Sequence, residues 1–182
     1  RAGQGRYVLY WMQASQRSAY NHALEYAISQ ANDLDLPVLV YFGLTIEYPE
    51  ANARHMAFMI EGLSEVREAL EQRGIGMVVW LCSPAEGAVR LGQDAALVVA
   101  DRGYLRHQRV WRQEAASRID KLMVQVESDV LVPVETASEK EQWAAATLRP
   151  RIHKAWKHFL APLEAREVRR RSVQLDLAPP GL

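Results

Sequence analysis

The chain has 182 residues, a length that suits one domain with a sizeable core. Its 22 Lys and Arg balance its 22 Asp and Glu, so the net charge gives no sign of a nucleic-acid or membrane partner. A single cysteine, Cys82, excludes a disulfide within the chain and favours a reducing, cytoplasmic setting. No apolar run approaches the length of a membrane span, so we expect no membrane partner.

Apolar strands alternate with amphipathic helices along the sequence. Apolar runs predict five strands, at residues 7–12, 36–44, 77–81, 95–100 and 123–127, and residues 130–134 fit a short sixth. Helical periodicity predicts helices at 18–32, 53–73, 84–92, 105–121 and 138–148, and, after an interruption at Pro150, at 152–163. Near-continuous apolar strands are buried on both faces. The sequence therefore predicts an α/β fold, a doubly wound, Rossmann-like sheet of five mostly parallel strands with helices on both faces.

Local signals support three of these helices. Ser83 is expected to cap a helix in which Pro84 takes the first position and Glu86 reaches back to the cap. Ser138 and Glu141 form the same capping pattern for the helix that runs toward residue 148. The long helix at 53–73 is expected to bury one stripe, formed by Met56, Met59, Ile60, Leu63, Val66 and Leu70.

A parallel sheet of this kind binds ligands beyond the carboxyl ends of its strands. Residues 11–17, 42–46 and 101–106 are expected to line that crevice. Asp101 ends the fourth strand there, and two interpretations are open. Its carboxylate either accepts a hydrogen bond from a ligand or caps the following helix.

The motifs of several enzyme classes are missing from the sequence. Neither GxGxxG nor GxxxxGK[ST] occurs, which argues against a dinucleotide dehydrogenase and a P-loop NTPase. The sequence also lacks GxSxG and HExxH, and its five histidines lie too far apart to suggest a metal site. These absences favour a domain that holds a ligand or a partner over one that does chemistry alone.

Two basic stretches are each open to two interpretations. Arg106, Arg109 and Arg112 recur at a spacing of three, so they predict either a solvated helix face or a contact to phosphate or an acidic partner. Residues 149–171 hold eight Lys or Arg against two Glu, and we expect a solvated tail, with contact to DNA as the alternative.

Several segments together resemble the class II cyclobutane pyrimidine dimer photolyases. The opening of that family is similar to Tyr10, Trp11 and Met12, followed by Ser15, Gln16, Arg17 and Asn21. Further similarity lies in RHMAFMIEGLSEV at 54–66, VVAD at 98–101, LR at 105–106, VP and ASEKE at 132–141, and TLRPRI at 147–152. The order and spacing of these segments, which span most of the chain, make the resemblance specific.

The resemblance implies a division of labour between two domains. Residues 1–160 would form the N-terminal α/β domain, and residues 161–182 would begin the linker to a C-terminal helical domain that binds FAD. The full-length protein would be a deoxyribodipyrimidine photolyase, a carbon–carbon lyase that repairs damaged DNA with blue light. This chain alone is expected to carry no catalytic residue. Its partners would be the FAD domain of the same chain and, through the full-length protein, damaged DNA, and the protein is expected to be a monomer.

The family also implies an antenna chromophore, a deazaflavin or a folate, in the α/β domain. Together with the position of the crevice, this places the antenna beside Trp11, Met12, Arg17, Phe42, Gly43, Leu44, Met59 and Asp101. Two other functions stay open: a photoreceptor of the cryptochrome type with the same fold, and a standalone nucleotide-binding α/β protein.

Overall fold

A computed structural model describes residues 3–48, 50–175 and 177. Pro49, expected within a polar connection, and most of the expected linker beyond residue 175 lie outside the described residues. The strands are β1 (Tyr7–Trp11), β2 (Val38–Leu44), β3 (Gly76–Leu81), β4 (Ala95–Asp101) and β5 (Met123–Val126). The helices are α1 (His22–Leu34), α2 (Ala53–Gln72), α3 (Pro84–Gly92), α4 (Arg106–Arg118), α5 (Val134–Ala137) and α6 (Ala145–Phe159).

The five strands form one sheet in the order β3-β2-β1-β4-β5, and all four strand pairings are parallel. The chain winds outward from β1 to β3 and then returns past β1 to β4. The crevice of a doubly wound sheet is therefore expected outside the carboxyl ends of β1 and its neighbours. This topology confirms the predicted fold class.

Each face of the sheet has its own core because successive strand residues point to opposite sides. Val8 and Tyr10 of β1 pack with α1 and α2 on one face, and Tyr7, Leu9 and Trp11 pack with α3 and α4 on the other. Helix α1 is capped by Asn21, whose side chain accepts a hydrogen bond from the backbone N–H of the third helical residue. Helices thus cover both faces, as predicted.

Three local predictions in the second half of the chain are wrong. Residues 130–134 form no strand, and α5 begins at Val134 instead. Ser138 follows the end of α5, and its hydroxyl bonds to Lys140 and Gln142, so it does not open a helix. The next helix, α6, contains Pro150 in its second turn, where the ring removes one backbone hydrogen bond without ending the helix.

Two details of α3 and α2 also differ from the prediction. Ser83 precedes α3 but its side chain makes no capping hydrogen bond. In α2, only Leu63, Val66 and Leu70 are buried, whereas Ile60 is 50% exposed. Met56 and Met59 of the predicted stripe instead line an open cavity at the carboxyl edge of the sheet.

The basic segment near the end of the described chain is docked on the domain. We call residues 166–175 the strap. Its Arg166 N–H donates to Glu25 at 2.6 Å, and the Glu25 carboxylate also pairs with Arg73 at 2.7 Å. Further along, the Ser172 hydroxyl accepts from the Gly76 N–H at 2.7 Å, at the start of β3. The strap is therefore docked through its backbone and Ser172, while the side chains of Arg166, Arg169, Arg170 and Arg171 are exposed, as expected of a solvated stretch.

Candidate functional site

An open cavity of about 820 Å³ lies beyond the carboxyl ends of β1 and β2. Its walls come from the loop after β1, the end of β2, the first half of α2, the start of α3 and one side of α4. The residues that line it include Trp11, Met12, Gln13, Phe42, Gly43, Tyr48, Met59, Pro84 and Trp111. The cavity occupies the crevice that the sheet topology predicts.

The loop after β1 is held in place by Asp101, at the end of the neighbouring strand β4. Its Oδ2 accepts hydrogen bonds from the backbone N–H groups of Gln13, Ala14 and Ser15, each at 2.9 Å. Its Oδ1 accepts from the Tyr10 hydroxyl at 2.8 Å. Both oxygens are thus used by the chain itself, and Asp101 shapes one wall of the cavity from behind.

Burial governs the ionisation of Asp101 and of the Tyr10 hydroxyl that donates to it. Desolvation raises the pKa of Asp101, and the hydrogen bonds from the loop N–H groups and from Tyr10 oppose that rise. Burial, and next the neighbouring Asp101 charge, also hold the pKa of Tyr10 well above its ordinary value. Tyr10 therefore stays a neutral hydroxyl that can donate to the carboxylate.

The floor of the cavity depends on a close approach between β2 and α3. A Cβ atom at Gly43 would lie 2.5 Å from the Cα of Pro84 and 2.6 Å from the Tyr41 hydroxyl. Only glycine leaves room for the first turn of α3 to meet β2 at this point. Pro84 and Gly43 consequently border the cavity side by side.

One side of the cavity is aromatic. The rings of Tyr48 and His107 lie 4.6 Å apart between centroids, and those of His107 and Trp111 lie 4.9 Å apart. Burial lowers the pKa of His107, which favours the neutral imidazole within this cluster. Because Tyr48 and Trp111 both border the cavity, a planar ligand would find rings to pack against.

Several donors in and behind the walls have no acceptor among the described residues. They include the Trp11 indole N–H and the side-chain amide N–H₂ of Gln13, both on residues that line the cavity. Buried donors are normally paired.

The three arginines of α4 do not share one environment. Arg106 and Arg109 are exposed, whereas Arg112 is buried behind the wall and donates to the Gly103 carbonyl at 2.6 Å. Burial lowers the pKa of Arg112. The spacing of three predicted that the three arginines share one basic face. This prediction is wrong for Arg112, which holds the loop after β4.

The structure brings together five of the eight predicted site residues. Trp11, Met12, Phe42, Gly43 and Met59 line the cavity, while Leu44, Arg17 and Asp101 do not. Arg17 instead donates to the Ser128 carbonyl at 2.6 Å, close to Asp129 at 3.7 Å. Asp101 neither faces the cavity nor caps α4, since its carboxylate binds the loop after β1.

Gln13 lies within the segment 11–17 that was expected to line the crevice, although it was not among the residues placed beside the antenna. Sequence reasoning missed Tyr48, Pro84 and Trp111. Tyr48 and Trp111 are far apart in the sequence, and nothing in their local pattern indicates that they meet.

Among residues 3–48, 50–175 and 177, no cluster of His, Cys, Asp or Glu could hold a metal ion. In the same part of the chain, no helix is long and apolar enough to cross a membrane.

Comparison with known proteins gives a consistent result. The family model described as DNA photolyase matches residues 8–168. The deoxyribodipyrimidine photo-lyase of Methanothermobacter thermautotrophicus is 50% identical over 176 residues, which cover 97% of this chain and 40% of that protein. The protein of the same name from Potorous tridactylus is 32% identical, over 86% of this chain and 30% of its own length. The chain thus spans well under half the length of these relatives.

The fold also matches a solved structure. The crystal structure of an archaeal photolyase from Sulfolobus tokodaii, with two FAD molecules, covers 91% of this chain at a TM-score of 0.69. The match covers 37% of that chain, and the two sequences are 16% identical. At this identity the likeness supports the fold alone.

Proposed function

We propose a function from the premise that the chain belongs to the DNA photolyase family. The described residues form the α/β domain of a deoxyribodipyrimidine photolyase, an enzyme that splits cyclobutane pyrimidine dimers in DNA under blue light. The observation that carries this proposal is the 50% identity with the Methanothermobacter photolyase over 97% of the chain. The class II affiliation rests on the sequence segments that resemble that class.

The splitting reaction is assigned to a part of the protein outside this sequence. A reduced flavin supplies the electron for such a reaction when it is bound. This domain is proposed to have a supporting role, because the chain matches only 40% of the length of the Methanothermobacter photolyase. FAD, the damaged DNA and a second domain are the partners of the complete protein, for which we propose a cytoplasmic, monomeric form. In the complete protein, we propose that the chain beyond residue 160 first follows the strap, residues 166–175, and then leads to the flavin domain.

The cavity at the carboxyl edge of the sheet is the proposed site of an antenna chromophore. Its volume of about 820 Å³ lies within the range of small-molecule sites, roughly 300–1,000 Å³. Rings at Tyr48 and Trp111 would pack against a planar chromophore. A deazaflavin and a folate both have this chemistry.

A finding on the archaeal photolyase is compatible with this role. That protein has two FAD molecules, with the implication of a novel light-harvesting cofactor. A second flavin is therefore a third candidate for the cavity, since it is also planar and carries carbonyl acceptors. Trp11, Met12, Phe42, Gly43 and Met59 remain the residues proposed to contact the chromophore, now with Trp111.

The function is tested by repair of dimer-containing DNA with the purified full-length protein, its flavin reduced. We expect repair under blue light and none in the dark. Light absorption without repair in either condition would indicate a photoreceptor of the cryptochrome type. Stoichiometric binding of ATP by the full-length protein, without flavin, would indicate a nucleotide-binding protein instead.

A further inference from the structure

The first half of α2, residues 53–62, packs on little of the domain. None of its residues is buried, whereas the second half is anchored by the buried Leu63, Val66 and Leu70. Among residues 53–62, only Met59 packs against a core cluster. The side-chain hydrogen bonds at the start of the helix are local, since they join Asn52 to the N–H groups of Arg54 and His55 and to the His55 ring. A segment with so few buried contacts opens at a low free-energy cost while the rest of the domain stays folded.

Gly62 lies where the unpacked half of α2 meets the packed half. A Cβ atom at this position would meet no other atom within 4 Å, so close packing does not require the glycine. Its backbone does not have a positive φ either. Glycine weakens the interior of a helix relative to alanine, because it gives the chain access to many other conformations. At this boundary that property makes a hinge, a point at which the first half can bend away from the second.

The first half of α2 also forms one wall of the cavity at the carboxyl edge of the sheet. The residues of this half that line the cavity are His55, Met56, Phe58, Met59 and Gly62. Phe58 is 79% exposed although it lines the cavity, so a large apolar ring stands in water there. Met56 and Met59 share this wall, and methionine side chains adapt their shape to a neighbour. Movement of the wall into the cavity would remove apolar surface of both the protein and a ligand from water.

We propose that residues 53–62 form a lid, hinged at Gly62, that closes over a ligand in the cavity. The identity of the ligand, a planar chromophore, rests on the proposed function. Closure brings Met56 and Phe58 against the ligand, excludes water from it and slows its release. Because the ligand contacts the lid only in the closed form, binding shifts the lid toward that form.

A fixed cover from another part of the complete protein is the other explanation for an exposed Phe58. It leaves Gly62 without a reason, because a helix that stays docked gains from rigidity and alanine would be the better residue there. A glycine at the boundary between the two halves favours an element that moves.

The test is hydrogen–deuterium exchange, measured by mass spectrometry, on the full-length protein with its FAD in place. The protein is measured alone and with 5-deazariboflavin, methenyltetrahydrofolate or riboflavin, each at about ten times the dissociation constant found by equilibrium dialysis. The variants are Gly62→Ala and the matched control Ser64→Ala, at an exposed position of the packed half of α2. Dimer repair under blue light is measured on the same preparations.

Without a probe, we expect residues 53–62 to exchange at least about ten-fold faster than residues 63–72. A probe that binds should slow exchange of residues 53–62 by about ten-fold and leave residues 63–72 unchanged. Gly62→Ala should slow both the exchange of residues 53–62 and the release of the bound probe by about 2–5-fold. Ser64→Ala should change neither, because residue 64 stays helical whether the lid is open or closed.

Equal exchange of the two halves in the protein without a probe would overturn the proposal, and it is the result that a fixed cover gives. The lid is also refuted if none of the probes slows the exchange of residues 53–62, or if Gly62→Ala behaves as the control does. Binding of a probe without this protection, in a protein that repairs dimers, would leave the proposed function standing. Protection by a probe in a protein that repairs nothing would support the lid and refute the proposed function.

Discussion

Replacing Asp101 by Asn tests how the cavity wall is built. The side chain keeps its shape but loses its charge, and its one oxygen can still face the three N–H groups of the loop after β1. Charge-assisted hydrogen bonds contribute about 1.5–3 kcal/mol each, and neutral ones about 1 kcal/mol. Removing the charge also removes the cost of burying it, the cause that raises the pKa of Asp101, so the free energy of unfolding should fall by only about 1–2 kcal/mol.

The assay is urea denaturation of the protein, followed by circular dichroism. Asp94→Asn is the matched control. The exposed Asp94 carboxylate lies 3.7 Å from the Arg6 guanidinium, and losing this surface ion pair should lower the free energy of unfolding by less than about 0.5 kcal/mol. A loss below about 1 kcal/mol for Asp101→Asn, or one equal to that of the control, would be the opposite result. It would mean that the loop does not depend on a charged carboxylate.

Two further predictions concern a buried hydroxyl and a glycine. Burial raises the pKa of Tyr7 to about 12 from an ordinary value of 10.0, so the unfolded tyrosine ionises first. The stability that neutral Tyr7 contributes is fully present below pH 10 and is lost as the pH rises toward 12. In Tyr7→Phe, the urea midpoint of unfolding should therefore fall less steeply over this pH range than in the wild type. Tyr20→Phe, at a side chain 69% exposed, should leave the decline unchanged, and equal slopes for both variants would contradict the account. Gly43→Ala should lower the free energy of unfolding by about 1–3 kcal/mol, because its Cβ would overlap Pro84. Gly62→Ala, in α2 with nothing within 4 Å, should raise it by about 0.5–1 kcal/mol, and a gain at both sites would refute the close approach.

The fold was predictable because its signals are repeated and local. Each buried strand is a short apolar run, and each helix between strands shows the 3.6-residue period, so errors at single residues do not change the topology. The second half of the chain was harder. At Ser138 a local capping pattern is overridden, and at Pro150 a helix tolerates a residue that usually marks a boundary.

The candidate site was predictable only in part. The rule for parallel sheets locates the crevice and therefore finds Trp11, Phe42 and Gly43. It does not give the direction of a side chain at a strand end, and so it cannot tell that Asp101 turns toward the neighbouring loop. It also cannot find Trp111, because that residue reaches the cavity from a separate helix.

We propose that this domain holds a light-harvesting chromophore for a photolyase. The decisive measurement is the action spectrum of dimer repair by the full-length protein, compared with the absorbance of its flavin. We predict that the action spectrum of the wild type contains a band beyond those of the flavin. This band should be lost in Trp111→Ala, while the flavin band stays, and it should be kept in the control Tyr26→Ala on α1. A spectrum that follows flavin absorbance alone in all three proteins, or no repair at any wavelength, would contradict the account.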